Sequence, residues 1–280
     1  MKDIIKFLND LSLGNGDKLI LKKAENSYSA DVYIVSGKGY YVVKRFSDYK
    51  KSEKEKRVLN LCRQRGINVP KVLFQKNEYI LMEFIQGTNG DDMKLTRRDV
   101  RALGQNLKQF HSMEIDDYSV DTIYDSELMK KIYSDSVFTL RRFINEEMYY
   151  KIRTYFGERQ EFLKNEKYTY VHRDYRLGNL LFSKSQIYLI DFESFAIGSP
   201  IMDLVKIIDD LAVYNREFVK EFLRAYYQRE NIENSEIKTI QIYYLINKLE
   251  TLAWLILRDR AEDEYYQFVW NGLNRILKEK

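Results

Sequence analysis

A chain of 280 residues is long enough for one large domain or for two lobes, each with its own core. With 45% hydrophobic and 31% charged residues it reads as globular, and a net charge of +4 spread along its length leaves no basic stripe for a nucleic-acid backbone. No window approaches the ~18 apolar residues of a membrane span, and a single cysteine, Cys62, excludes an internal disulfide, so a reducing, cytoplasmic setting is expected.

In chain order, residues 1–13 place Ile4, Ile5, Leu8 and Leu11 at helical spacing between charges, the pattern of an amphipathic helix and not of a signal peptide. Strands are predicted at 19–21, 31–35 and 40–44, a helix at 47–65, and further strands at 71–74 and 79–82. After Gly87 the period becomes helical, with Val100, Leu103, Leu107 and Phe110 on one face, and Ile242, Leu245, Leu249, Leu252 and Ile256 on another helix. Between them lie short apolar runs at 170–171, 180–182 and 187–190, expected as neighbouring strands of one small sheet. The order implies an α+β, two-lobed architecture: a small β-rich N-terminal lobe at 1–83, a hinge at 84–92 and a larger, mainly helical lobe at 93–280.

The most specific signal is His172-Arg173-Asp174 with Asn179 five positions after the Asp, then the strand ending in Asp191. Hard divalent cations such as Mg²⁺ take oxygen ligands, and an Asn amide with an Asp carboxylate meets that need, so Asn179 and Asp191 are the candidate metal ligands. Asp174 is then left to accept the proton of a substrate hydroxyl and orient it toward a γ-phosphate, as in the kinase pattern H-R-D-x-x-x-x-N. His172 is expected to hold the loop by hydrogen bonds. Cys62 lies in an apolar helical stripe and reads as a buried, inert thiol.

Upstream, Lys44 puts one ammonium at the end of an apolar strand, and the helix that follows offers Glu53 and Glu55 on different faces. Glu55 lies three and four residues before Val58 and Leu59 of the buried stripe, so it is the partner expected to hold Lys44 against nucleotide phosphates. The loop carrying Ser27, Tyr28 and Ser29 lacks G-x-G-x-x-G, but small hydroxyl residues and backbone N–H groups can cradle phosphate there. Met82, Glu83 and Ile85, entering the hinge, are the candidates for adenine contacts.

These residues resemble the aminoglycoside phosphotransferase and choline kinase superfamily, small-molecule kinases with a protein-kinase-like fold. Lys44, the Ser52 to Lys56 segment, Val69-Pro70, His111-Ser112, the 172–179 loop and the 190–204 segment carry the resemblance over nearly the whole chain. Family motifs usually read H-G-D where this chain has His172-Arg173-Asp174, a departure that leaves the base untouched. The resemblance implies Asp174 as base, Asn179 and Asp191 on Mg²⁺, Lys44 with Glu55 as the phosphate-positioning pair, and Asp203 as a structural acid. After Asp191 the chain reads Phe192-Glu193-Ser194 and soon reaches Asp203, which leaves no room for the activation segment of a protein kinase.

The expected activity is γ-phosphate transfer from ATP or GTP to a hydroxyl of a small substrate, aminoglycoside-like first and choline- or ethanolamine-like second, by a monomer or weak dimer. A nucleotide-binding pseudokinase is the alternative of another class; retention of Lys44, Asp174, Asn179 and Asp191 argues against it. For the acceptor, Glu193, Asp259, Glu262 and Asp263 offer carboxylates, although Arg258 and Glu262 also read as an i, i+4 pair on a solvated face. Trp254, with Tyr243, Tyr244 and Trp270, offers rings for a cation–π cage.

Overall fold

The computed structural model describes residues 2–11, 20–23, 30–37, 39–116, 123–163 and 167–278. In chain order the first elements are α1 Lys2–Asp10, β1 Ile20–Lys23, β2 Asp31–Ser36, β3 Tyr40–Arg45, α2 Tyr49–Gln64, β4 Val72–Lys76, β5 Tyr79–Glu83 and β6 Thr88–Asn89. There follow α3 Arg97–His111, β7 Ile123–Tyr124, α4 Ser126–Leu140, α5 Glu146–Gly157, β8 Thr169–Val171, β9 Leu180–Ser183, β10 Gln186–Leu189 and β11 Ala196–Gly198. The last helices are α6 Ile201–Tyr214, α7 Arg216–Tyr227, α8 Asn234–Ile256 and α9 Glu264–Ile276. None of the described helices is long and apolar enough to cross a membrane.

The chain divides into two compact units, Met1–Lys94 with Leu177–Ser194, and Leu95–Arg176 with Phe195–Lys280. The first holds an antiparallel sheet in the order β1-β2-β3-β5-β4. Strand alternation sends Tyr33, Val35, Val43, Tyr79 and Leu81 to one face, where Ile4, Phe7 and Leu8 of α1 cover them. Lys44, one residue on from Val43, therefore points to the opposite face. α2, started by the Asp48 carboxylate accepting from Lys51 N, buries Glu55, Val58, Leu59 and Cys62, and burial pushes the Cys62 thiol up to about 12.

The same unit includes a second sheet, β10-β9-β6. The segment expected as a hinge is bound into it: Ser183 Oγ donates to Gln86 O at 2.6 Å, Asn89 Nδ2 donates to Gly178 O at 2.9 Å, and a Cβ at Gly90 would lie 2.4 Å from Leu177 O. Residues 177–194, expected with the helical part, group with the β-rich unit for this reason, and Leu189 N also donates to Asn68 O. The expectation of one small sheet is corrected as well. β8 pairs antiparallel with the three-residue β11, and β11 with β7, so β8 and β9 lie in different sheets.

The second unit is mainly helical. α3 opens on a reciprocal cap between Thr96 and Asp99 and packs against α7 so closely that a Cβ at Gly104 would lie 2.6 Å from Phe222 O and 2.8 Å from Ala225 Cβ. Gly104→Ala is expected to cost about 1–3 kcal/mol, the usual scale of overpacking, read as a lower denaturant midpoint; an unchanged midpoint would show that the helices separate freely. Lys248, buried within α8, reaches the Asp209 carboxylate of α6 and ties those helices together.

Candidate active site

Lys44 Nζ stands 3.1 Å and 3.2 Å from the two Glu55 oxygens, 2.7 Å from Asp191 Oδ1 and 3.2 Å from Glu193 Oε1. Glu55 and Lys44 are both almost wholly buried, whereas the Asp191 side chain is 38% exposed, so the cluster opens to solvent at Asp191. Burial works against the ammonium, but the charges of Glu55, Asp191 and Glu193 outweigh it and hold the Lys44 pKa above the ordinary lysine value. Burial also lifts the Glu55 carboxyl to about 7; Lys44 opposes this, and the charges of Asp191 and Glu193 add to it. The Lys54 ammonium also comes to this cluster, donating to Glu193 O at 3.3 Å.

Asp191 follows β10 in a left-handed conformation, φ 67°. Ile190 N donates to Asn179 O at 3.1 Å, which brings residue 179 beside the chain that carries Asp191. Oxygens of Glu55, Asp191 and Glu193 lie within 4.8 Å of one another. An amide oxygen and clustered carboxylates are the donor set of a hard divalent cation, so these residues fit Mg²⁺. Glu193, expected at the acceptor, is instead engaged by Lys44, because two residues past Asp191 the chain still borders the same cluster.

In the helical unit, the loop bearing Asp174 is held from both sides. Asp203, fully buried in the first turn of α6, accepts from His172 N at 2.8 Å and from Arg173 N at 2.6 Å, and meets His111 Nε2 at 3.0 Å. At His172, expected to hold the loop as a histidine, the bond to Asp203 comes from the backbone amide, which any residue but proline supplies. Arg173 takes φ 64°, a conformation glycine adopts without strain, and its guanidinium lies over the Tyr124 ring at 3.9 Å and donates to Glu250 Oε1 at 3.1 Å. Tyr175 is fully buried, its hydroxyl within hydrogen-bonding distance of Leu103 O and Asn106 Oδ1. The half-buried Asp174 is thus bracketed by two fixed neighbours.

Other expected site residues stand differently. Ser27, Tyr28 and Ser29 lie outside the described residues. Glu83 belongs to the sheet, its N–H donating to Lys71 O and its carboxylate accepting from Lys71 N at 2.7 Å; Met82 is buried opposite Val42, and Ile85 lies beyond the ladder. α8 ends at Ile256, so Arg258 and Glu262 do not share a helix face. Arg258 stands over Trp254 at 4.3 Å, with Arg260 at 5.7 Å, so the ring already carries the protein's own cations. Asp263 caps α9 and pairs with Arg260, while Asp259 sits in the turn, φ 55°, and Glu262 is exposed. Tyr243 is buried, Tyr244 donates to Asp209 and Trp270 stacks on Tyr266, so none of them is arranged as a cage.

The family model described as "Phosphotransferase enzyme family" matches residues 20–235. The chain belongs to this family. Its members transfer phosphate to hydroxyl groups of small substrates, and the chain is an O-phosphotransferase of that kind. Solved structures of other proteins share the fold. A choline/ethanolamine kinase family protein from Mesorhizobium loti matches with a TM-score of 0.74 at 15% identity, covering 98% of this chain and 95% of that one. A macrolide 2′-phosphotransferase from Brachybacterium faecium matches at 0.71 and 15% identity, covering 96% and 98%. The streptomycin–ATP–APH(2″)-IIa ternary complex matches at 0.66 and 19% identity, covering 99% and 96%. No curated protein matches the sequence. At these identities the likeness shows the fold: α+β and protein-kinase-like, with a smaller β-rich unit and a larger, mainly helical one.

Proposed function

We propose that the chain transfers the γ-phosphate of a nucleoside triphosphate to a hydroxyl of a small, soluble acceptor, with Asp174 as base. The observation that carries this reading is the buried Lys44 ammonium among Glu55, Asp191 and Glu193, beside the strand that brings Asn179 next to Asp191. Glu55 keeps Lys44 extended toward the site, and Lys44 binds the nucleotide's non-transferred phosphates. Asn179 and Asp191 hold Mg²⁺, which when bound neutralises charge on the phosphate oxygens. Asp174 orients the acceptor hydroxyl and takes its proton, while Arg173 and Tyr175 keep the loop from turning away. ATP is the favoured donor, supported by the ATP in the streptomycin–ATP–APH(2″)-IIa complex.

Aminoglycosides lead the acceptor classes, followed by choline or ethanolamine; the family shares this fold with kinases of both kinds. The deciding experiment is coupled nucleotide turnover with Mg²⁺ against aminoglycosides, macrolides, choline, ethanolamine and homoserine. Stimulation by one class names the acceptor. Nucleotide binding with no phosphorylated product from any class would replace the kinase reading with a binding module.

A further inference from the structure

The loop that carries Asp174 is gripped by Asp203 through the amides of His172 and Arg173. The grip continues outward. Asp203 Oδ2 also meets His111 Nε2 at 3.0 Å, and the other ring nitrogen, His111 Nδ1, lies 2.8 Å from the Tyr226 hydroxyl. A carboxylate has only lone pairs to offer, so Nε2 must carry the proton it shares with Asp203; in the neutral ring Nδ1 is then an acceptor, and Tyr226 must donate to it. His111 is held in place by its own carbonyl, which accepts from Thr169 Oγ1 at 2.6 Å at the start of β8, the strand that leads into the loop.

We propose that Tyr226 is a positioning residue for the catalytic loop, acting through the His111 tautomer and the Asp203 carboxylate. This rests on the reading of Asp174 as base only for its effect on turnover; the ordering of the loop stands apart from it. If Nδ1 took the proton instead, Nε2 would turn a lone pair toward Asp203, and two acceptors would face each other in a buried site. The carboxylate would lose one of the three donors that fix its orientation, and both loop amides depend on that orientation. Tyr226 reaches His111 because Gly104 lets α7 lie directly on α3, with Tyr226 N only 2.9 Å from where a Cβ would stand. The ring is placed independently of its hydroxyl, edge-on to His111 at 5.6 Å, edge-on to Tyr227 at 5.1 Å, and under the Lys108 ammonium at 5.5 Å. Phenylalanine at 226 therefore keeps the ring and removes the hydroxyl that donates to His111.

Amide hydrogen exchange of Tyr226→Phe tests this directly. The His172 and Arg173 amides are expected to exchange about tenfold faster or more, the usual consequence of a buried acceptor left without its donor, while amides in the middle of α8 keep their wild-type rates. Equal acceleration throughout the chain, or none at 172 and 173, would overturn the proposal, since a purely structural tyrosine gives one or the other. In the wild-type protein, the ¹⁵N shifts of the His111 ring are expected to report a proton on Nε2; a proton on Nδ1 alone would also overturn it. With an acceptor in hand, kcat is expected to fall with nucleotide KM unchanged. Faster exchange at 172 and 173 without a fall in kcat would count against Asp174 as base and leave the positioning role of Tyr226 intact.

Discussion

Replacing Asp174 with Asn is expected to lower kcat by about 10² or more, with nucleotide KM close to wild type. The amide keeps the shape of the carboxyl but loses its charge and its capacity to take a proton. Phosphoryl transfer leaves little covalent work for the protein, so orientation of the acceptor hydroxyl bears chiefly on the chemical step. The loop keeps its other anchors, because the bonds made by Asp203 and by the Arg173 and Tyr175 side chains are untouched by the substitution. The check is steady-state kinetics on the best acceptor from the screen; full turnover in the Asn variant would reject Asp174 as base.

Lys44→Ala is expected to be as damaging, on the order of 10² in kcat/KM, the scale seen when one charge-stabilising donor is removed from a site. It also has a signature that needs no substrate. In the wild type Glu55 is lifted to about 7, so between its ordinary value near 4.5 and about 7 the folded state holds more proton than the unfolded chain. Stability from this group therefore falls as pH rises through that window. Lys44, raised above its ordinary value, stays charged throughout neutral pH and loses its contribution only in strong alkali. Without the ammonium, Glu55 faces Asp191 and Glu193 unopposed and its pKa climbs further, so the decline should continue past pH 7. Denaturant midpoints from pH 5 to 8.5 measure this; identical slopes in the two proteins would mean that Lys44 does not support Glu55.

Much of this was legible in the sequence because it is local. The H-R-D pattern with its Asn and the strand-terminal Asp191 fall within 20 residues, and the choice of Glu55 over Glu53 needed only the helical period against Val58 and Leu59; Glu53 pairs instead with Lys56 on the surface. The order of strands and helices was readable for the same reason. What was not readable depends on pairing at a distance. β11 is three residues long and carries no pattern of its own, yet it takes β8 away from β9. Tyr124 and Glu250 reach Arg173, and Tyr226 reaches His111, from three separate elements, and nothing near each of them in the chain marks them out. His111 alone left a trace, as one of only two histidines. The turn after α8 misled because a dense charge run looks the same whether it awaits a ligand or neutralises itself.

Asp203 holds the loop by main-chain N–H groups, which every residue except proline supplies. The grip is therefore blind to what stands at 172 and 173, and the side chain at 173 can change through descent without releasing the base. An arginine can occupy this site, accept a left-handed backbone, and add its own bonds to Tyr124 and Glu250. The anchor itself therefore asks nothing of the side chain at 173; what restricts that position is its left-handed backbone, which admits few residue types, and the contacts its side chain makes.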